Sequence, residues 1–525
     1  MNLITKNWLI ITIYCVYAVA SLWNISSVGY YYDELLHAVA AQEILDPDYI
    51  SQVHRVVKAS FLEHTVPLMI LYYVGPLKSY LLSLGFLLFS DSLLTLRVMT
   101  IACGAITLAL TYLYAKKYFN RKTALLTLAI LACDPSFILS STFDWGPVAL
   151  QNILKMILIL VGSSIITNNA TRQKAFLFGA TIGLLLWDKL NSLWIILPTT
   201  LLITYHIHQA HYKNLRQTIS YFLLGLGFGL PFFLFIFKRP FFYYESQKSF
   251  QEFEGYLLTS AQSTNSLTLL TNYSSNIVNK ITTLFYTLSG TSIPNYILSE
   301  NIFALNITGI LIAGIIVPFC TKTLYQKFRN RKTEPLLDPI TYTAFLTLSI
   351  MFFIVLTPHA NGPHHMLMLY PLPHILLAML LIKYYSRYKY QIVSLLIVIV
   401  TTNVMILTNF SQQIKDNKMK IFWKRTEITQ LTQRFVVNKT KLIALDWGIT
   451  LPVGFISHGQ VDIRDLQAFY QPKCAELHKL VYQENYNIIM YSNENKVFPT
   501  YYNNCLETMQ DLKKETTQHY MLYMH

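Results

Sequence analysis

The chain has 525 residues, of which 53% are hydrophobic and 13% are charged, and its formal net charge is +14. Soluble domains carry about 25% charged residues, so this composition excludes an ordinary globular protein and predicts a polytopic membrane protein. The basic residues lie in short runs between apolar segments, which is typical of membrane topology and argues against a nucleic-acid partner.

Eleven apolar stretches have lengths near the 17–25 residues that a membrane-spanning helix needs. They lie near residues 8–28, 92–115, 123–141, 147–167, 175–188, 191–206, 218–237, 302–320, 340–357, 366–383 and 390–409. The first stretch, with Lys6 before it and Ala18-Val19-Ala20 within it, resembles a signal peptide. Because its apolar run continues well past Ala20, we predict an uncleaved anchor.

The connections between these stretches alternate in charge. One set, together with Lys6, holds seventeen Lys or Arg residues and only two acids, Glu334 and Asp338. The positive-inside rule places this set in the cytoplasm, and with it the N-terminus. Residues 29–91, residues 238–301 and the tail from about residue 410 then lie outside. This topology predicts a multi-pass protein of the cell inner membrane with a periplasmic or otherwise extracytoplasmic C-terminal domain.

The external segment 29–91 contains an apolar stretch, residues 66–89, that is interrupted by Gly75-Pro76-Leu77-Lys78. We predict helices that lie in the membrane interface here. A crossing at this point would invert every later span and place all the basic connections outside.

The tail, residues 411–525, predicts a small α/β domain that follows a transmembrane domain of residues 1–410. Apolar runs at 442–448 and 487–491 are typical of buried strands, and segments 425–437 and 474–486 favour helices. Cys474 and Cys505 are both in this domain and could pair in an oxidising compartment. The predicted fold class is therefore an α-helical polytopic membrane protein with a small external α/β domain.

The most informative motif is Tyr30-Tyr31-Tyr32-Asp33-Glu34-Leu35-Leu36-His37, which follows the first span directly. Tyrosine suits the membrane interface, whereas a carboxylate beside hydrocarbon costs several kcal/mol unless water or a partner meets it. Two interpretations stay open: the acids begin an exposed helix, where they complement the helix dipole, or they carry chemistry. Asp33 and His37 are one helical turn apart and could share a face.

Other ionisable residues lie at the predicted outer ends of spans and could converge on the same cavity. They are Lys78, Arg97, Asp144, Lys189, His364 and His365. Asp144 could instead cap the helix that follows it, Lys78 could extend along an interfacial helix, and Arg97 could pair with an acid of the first external segment. Lys189 and the two histidines could be packing residues.

Such a set is suited to group transfer from a phosphate-linked lipid. A carboxylate can take the proton of an attacking hydroxyl or amine. The leaving phosphate needs positive charge, a hydrogen-bond donor or a metal. The sequence shows no compact metal-ligand motif, so the need for a divalent metal ion stays open.

Over residues 8–410 the chain resembles the C-type, lipid-dependent glycosyltransferases of the protein O-mannosyltransferase and aminoarabinose-transferase type. The resemblance rests on Tyr32-Asp33-Glu34 with His37, Gly75-Pro76-Leu77-Lys78 followed by Leu96-Arg97, Asp144, Asp188-Lys189, and His364-His365 ahead of Tyr370-Pro371. It implies a polyprenyl-phosphate sugar donor and inverting transfer at the outer membrane face. It also implies that Asp33 is the base, supported by Glu34 and Asp144. His37, Lys78, Arg97, Lys189, His364 and His365 would then bind substrate, and the acceptor (lipid, glycan or protein) stays open.

Two other classes of protein remain alternatives at this stage. A transporter or flippase of lipid-linked sugars would place ionisable residues near the membrane midplane. Asp134 and Lys155 lie inside predicted spans and fit that alternative. A scaffold whose outer domain binds a partner would depend on residues 415–525 and not on Asp33.

Overall fold

A computed structural model describes most of the chain. The described residues are 3–46, 49, 57–61, 64–71, 73–168, 171–209, 215–236, 266–302, 307–330, 338–357, 362–424, 426–466, 474–492 and 502–524. Residues 238–265 of the predicted external segment lie outside these ranges.

The N-terminal half consists of helices and one hairpin. In chain order the elements are α1 (Leu3–Leu22), α2 (Tyr32–Leu45), β1 (Val57–Phe61), β2 (His64–Met69), α3 (Leu77–Leu88), α4 (Leu93–Tyr118), α5 (Arg121–Ala132), α6 (Pro135–Ser140), α7 (Val148–Asn168), α8 (Arg172–Asp188), α9 (Leu193–Gln209), α10 (Leu215–Leu226) and α11 (Leu230–Ile236).

Helices continue through the rest of the membrane domain. They are α12 (Ser266–Leu288), α13 (Ser292–Ile297), α14 (Ile307–Leu311), α15 (Val317–Arg329), α16 (Pro339–Leu356), α17 (Pro363–Met366), α18 (Leu372–Tyr384) and α19 (Lys389–Lys415). A π-helical turn, Ile312–Ile316, joins α14 to α15. The predicted domain boundary at residues 410 and 411 falls inside α19, which runs on to Lys415.

Seven helices among the described residues are long and apolar enough to cross a membrane, and a bent pair, α17 with α18, makes an eighth. Three further predicted spans are helical but shorter. The apolar part of α1 covers Trp8–Leu22, and α8 has 17 residues. The predicted span 123–141 is divided into α5 and α6, because Asp134 caps α6 and Pro135 opens it.

The hairpin corrects one prediction. Part of the stretch 66–89, which we expected to be helical throughout, belongs to strand β2, which pairs antiparallel with β1. Along β2, Pro67 and Met69 are buried, whereas Val66 and Leu68 are only partly buried. This alternation has the period of a strand and not that of a helix.

The other part of that stretch forms α3, as predicted. Its inner face buries Lys78 and Phe86, and its outer face exposes large apolar side chains. The exposed ones are Leu84, Leu87 and Leu88. An exposed apolar face of this kind is suited to contact with lipid.

The C-terminal domain is α/β, as predicted. It contains α20 (Thr426–Val437), β3 (Leu442–Ala444), α21 (Thr450–Ile456), β4 (Ile463–Asp465), α22 (Cys474–Glu484), β5 (Asn487–Tyr491), α23 (Asn503–Glu507), β6 (Lys513–Thr516) and β7 (Tyr520–Met524). The sheet order is β4-β3-β5-β7-β6. The first three strands are parallel, and β7 runs antiparallel to both of its neighbours. Cys474 and Cys505 form a disulfide, with Cα atoms 5.5 Å apart.

The C-terminal domain packs directly on α2. Leu35 and Val39 of α2 share one buried apolar cluster with Leu451 and Phe455 of α21. The Gln42 amide also donates to the Phe455 carbonyl, at 3.3 Å. The domain is therefore fixed against the same helix that carries Asp33 and Glu34.

Candidate active site

The site is organised around the first turn of α2, where Asp33 lies partly exposed. Surrounding protein raises the pKa of the Asp33 carboxyl by desolvation, and the negative charge of Asp144 acts in the same direction. The Lys189 ammonium and a hydrogen bond from Tyr31 lower that pKa. Asp33 is thus a carboxylate with a basicity above the ordinary value and with access to a ligand, which is what a general base requires.

The neighbouring acid, Glu34, is fully buried in a bidentate ion pair with Arg97. Both N–H···O distances are 2.9 Å. The other N–H groups of Arg97 donate to the carbonyls of Ile25, Val28 and Gly29 at 2.6 to 2.8 Å. All five guanidinium donors are therefore used inside the protein.

This arrangement corrects two predicted roles. Arg97 has no donor left for a substrate, so it does not bind one directly, and it pairs with a first-segment acid instead. Glu34 lies beneath the surface and can support Asp33 only by holding the start of α2 in place.

Asp144 and Lys78 form a second buried ion pair, with 2.8 Å between the ammonium and the carboxylate. Lys78 also donates to the Gly146 carbonyl at 2.9 Å. Asp144 accepts from the backbone N–H of Ala149 at 3.3 Å, so it also caps the next helix. Lys78 is held inside the site by these contacts rather than extended along α3 towards the surface.

Lys189 lies in a short strand-like contact between the first external segment and the end of α8. Val74 and Lys189 form an antiparallel bridge, and the Gly75 N–H donates to the Asp188 carbonyl at 3.0 Å. Burial lowers the pKa of Lys189, whereas the nearby carboxylates of Asp33, Asp144 and Asp188 raise it. The Asp188 carboxylate is itself buried without a hydrogen-bond partner among the described residues.

The predicted histidines are in the same region. His37 shares a hydrogen bond of 3.1 Å with Ser79 through Nδ1, and its Nε2 is buried without a partner in the described part of the chain. Burial and the charges of Lys78 and Lys189 lower the pKa of His37, which keeps its ring neutral. The rings of His364 and His365 have centroids 4.1 Å apart.

Aromatic side chains around Asp33 form a part of the site that the sequence analysis did not identify. Tyr31 stacks on Trp423 at 4.1 Å, and its hydroxyl lies 2.9 Å from that of Tyr296. Trp145 and Trp447 also contact Tyr31. The run of three tyrosines before Asp33 could have indicated this aromatic cluster. The same run also fits the membrane interface, so it did not distinguish the two.

The sequence did not decide whether the protein needs a divalent metal ion. Among the described residues, no group of three or more His, Cys, Asp or Glu side chains is arranged to hold a metal ion.

Asp134 and Lys155, on which the transporter alternative depended, have internal partners. Asp134 accepts from the backbone N–H of Phe137 at 2.8 Å, and its second oxygen faces His374 at 3.8 Å. Lys155 donates to Asn152 at 2.6 Å and to the carbonyls of Leu367 and Met368, both at 3.1 Å. Both residues stabilise breaks in helices, which accounts for their presence inside apolar segments.

The arrangement of the spans, of segment 29–91 and of the C-terminal domain is that of the C-type glycosyltransferase fold, in agreement with the fold that the resemblance implies. Residues 73–237 match the family model described as dolichyl-phosphate-mannose-protein mannosyltransferase. The structure is similar to that of ArnT from Cupriavidus metallidurans bound to undecaprenyl phosphate, with a TM-score of 0.57, 11% identity and 98% of each chain covered. The apo state of that protein matches with a TM-score of 0.56, 11% identity and coverage of 99% of this chain and 98% of the other.

A weaker match is the archaeal oligosaccharyltransferase AglB from Archaeoglobus fulgidus, at a TM-score of 0.48 and 12% identity. It covers 93% of this chain and 70% of the other. No curated protein sequence matches the chain significantly. At these identities the likeness concerns the fold, which is that of a multi-pass membrane protein.

Proposed function

We propose that this protein transfers a sugar from a polyprenyl-phosphate donor to an acceptor at the outer face of the membrane, with inversion at the anomeric carbon. Asp33 takes the proton of the acceptor group as its oxygen or nitrogen attacks that carbon. The bond between the anomeric carbon and the phosphate oxygen breaks, and the polyprenyl phosphate leaves.

The observation that carries this proposal is the contrast between Asp33 and its acidic neighbours. Glu34 is neutralised by Arg97, and Asp144 is neutralised by Lys78. Asp33 alone of these three is partly exposed. A base must keep a free lone pair towards its substrate, and of these acids only Asp33 can do so.

The donor phosphate has a cationic group close to that base. Lys189 interacts electrostatically with Asp33, so a phosphate bound at Lys189 would place its sugar beside the carboxylate. Positive charge at the leaving oxygen stabilises the transition state. The binding of undecaprenyl phosphate by ArnT, which has a similar fold, supports this class of donor.

The proposed orientation in the membrane is based on the charged residues at the two ends of α4 and of α8. Lys116 and Lys117 lie in the last turn of α4, whereas Arg97 at its other end contacts the site. In α8, Arg172 opens the helix and Lys189 follows its last residue. The basic ends face the cytoplasm by the positive-inside rule, so the site and the C-terminal domain face outward, in a bacterium into the periplasm.

Substitution of Asp33 by Asn tests the base. It keeps the shape of the side chain and removes its proton affinity, so transfer should fall by about 10²-fold or more. Radiolabelled transfer from undecaprenyl-phosphate-linked mannose to an envelope extract would measure this in nanodiscs. Asp416→Asn, an exposed acid after α19, is the matched control. Full activity of Asp33→Asn would overturn the proposal.

A further inference from the structure

The C-terminal domain contributes directly to the surface beside Asp33. Trp447 follows β3, and its ring lies 5.0 Å from that of Tyr32 and 5.8 Å from that of Tyr31. Tyr32 and Trp447 are partly exposed, whereas Tyr31 is buried beneath them. Two accessible aromatic rings therefore lie next to the proposed base, one from each domain.

The position of Trp447 within its own domain also indicates a ligand site. Strands β3 and β5 are parallel neighbours; the chain continues from β3 to β4 on one side of the sheet and from β5 to β6 and β7 on the other, so the connections from these two strands diverge. In open α/β sheets, ligands bind at the carboxyl ends of the strands where the connections diverge. Trp447 is located at that end of β3.

The turn that carries Trp447 is anchored to the neighbouring strand and contains a glycine. Asp446 accepts from the backbone N–H of Tyr491 at 2.8 Å, which ties the end of β3 to β5. Gly448 adopts a φ of +93°, a conformation that residues with a Cβ rarely occupy. The turn that carries the ring is therefore anchored to β5, the neighbouring strand of the sheet.

We infer that Tyr32 and Trp447 form a platform for the acceptor, and that the acceptor is a saccharide whose ring stacks on these aromatic faces. This inference rests on the proposed function. Aromatic side chains offer an apolar face and a polar edge, which suits a sugar ring with its apolar C–H face and its peripheral hydroxyls. A hydroxyl of that ring would lie beside Asp33, to which it gives its proton as its oxygen attacks the anomeric carbon of the donor.

The platform is assigned to the acceptor and not to the donor sugar because of where the cation for the donor phosphate lies. Lys189, which suits that phosphate, directly follows α8 of the membrane domain. Trp447 belongs to the external domain. The acceptor approaches Asp33 from the side of the external domain, and the lipid-linked donor approaches from the membrane.

Saturation-transfer NMR on the full-length protein in nanodiscs free of glycoside detergent tests the platform. The probes are methyl α-D-mannopyranoside, methyl β-D-glucopyranoside and N-acetylserine amide. We expect saturation of the ring protons of at least one glycoside, with affinity weakened about three- to tenfold in Trp447→Ala and in Tyr32→Ala. Trp447→Phe keeps an aromatic face and should retain most of the binding.

Tyr482→Ala, which removes an exposed aromatic residue from α22 of the same domain, is the matched control and should bind like the wild type. Glycoside binding that is unchanged in a folded Trp447→Ala variant would overturn the inference. So would saturation of the serine amide without that of either glycoside.

Two further measurements separate this inference from the proposed function. Asp33→Asn should lose transfer while saturation of the glycoside persists. An active Asp33→Asn variant would therefore contradict the role of Asp33 as the base and would leave the inference about the acceptor platform unaffected. In Trp447→Ala, transfer to a saccharide should fall further than hydrolysis of undecaprenyl-phosphate-linked mannose by water. An equal fall in both reactions would place the donor sugar on the platform and contradict the assignment to the acceptor.

Discussion

Arg97 holds Glu34 through two hydrogen bonds of 2.9 Å, and neither side chain has any exposed surface. The same guanidinium binds three carbonyls of the connection between α1 and α2. One side chain of α4 therefore fixes the backbone directly before Asp33. The position of the proposed base depends on this ion pair, although neither partner reaches the substrate.

Replacement of Arg97 by Lys should destabilise the protein by about 3 kcal/mol or more, because a buried carboxylate loses its bidentate partner and three carbonyls lose donors. Thermal unfolding in nanodiscs measures the change. Arg434→Lys is the control, since Arg434 forms a similar bidentate pair with Glu515 at the surface. That pair should contribute less than about 1 kcal/mol. Equal effects of the two substitutions would contradict the structural role of Arg97.

Local patterns in the sequence were sufficient to predict much of the fold. Apolar runs located most of the helices long enough to span a membrane, and they also located β3 and β5. These signals depend on residues close together in the chain, where periodicity and charge can be read directly. The motif around Asp33 was found for the same reason.

The pairings within the site could not be predicted from the sequence. Glu34 and Arg97 are 63 residues apart, and many acids and bases could have paired equally well. Trp447 reaches Tyr32 only because α21 packs on α2, which no local pattern indicates. The hairpin was missed because its apolar residues continue into α3, so one apolar run contains two kinds of structure.

Gly75 allows the first external segment to approach α8 closely. A Cβ at this position would lie 1.8 Å from the backbone oxygen of Trp187, so Gly75→Ala must separate the two segments. Lys189 is held by that contact, and we expect kcat/KM for transfer to fall about tenfold or more, since a displacement of about 1 Å can cost that much.

Gly227→Ala is the matched control, because a Cβ there meets nothing within 4 Å. Both variants should be compared by transfer assay and by thermal unfolding. A Gly75→Ala variant with unchanged transfer would show that the contact between residues 74 and 189 does not position the site.

The disulfide should stabilise the C-terminal domain by about 2–4 kcal/mol, because it closes a loop with a sequence separation of 31 residues. Cys505→Ser should lower the unfolding temperature of the domain by several degrees, as should a reducing agent. Cys15→Ser changes an exposed free cysteine of α1 and serves as the control. Mass spectrometry of the alkylated protein would show whether the bond forms in the cell, which the proposed external location of the domain predicts.

The pH dependence of transfer should report the environment of Asp33. Its pKa is raised by burial, so the base becomes protonated, and activity is lost, at a higher pH than for an ordinary aspartate, whose pKa is about 3.9. Lys189 lowers the pKa of Asp33, and its replacement by Met should therefore move the acid limb of kcat/KM to higher pH as well as weaken donor binding. Lys174→Met, which removes a lysine near the other end of α8, should leave the limb in place. An acid limb that moves to lower pH in Lys189→Met would contradict the electrostatic contact between the lysine and the base.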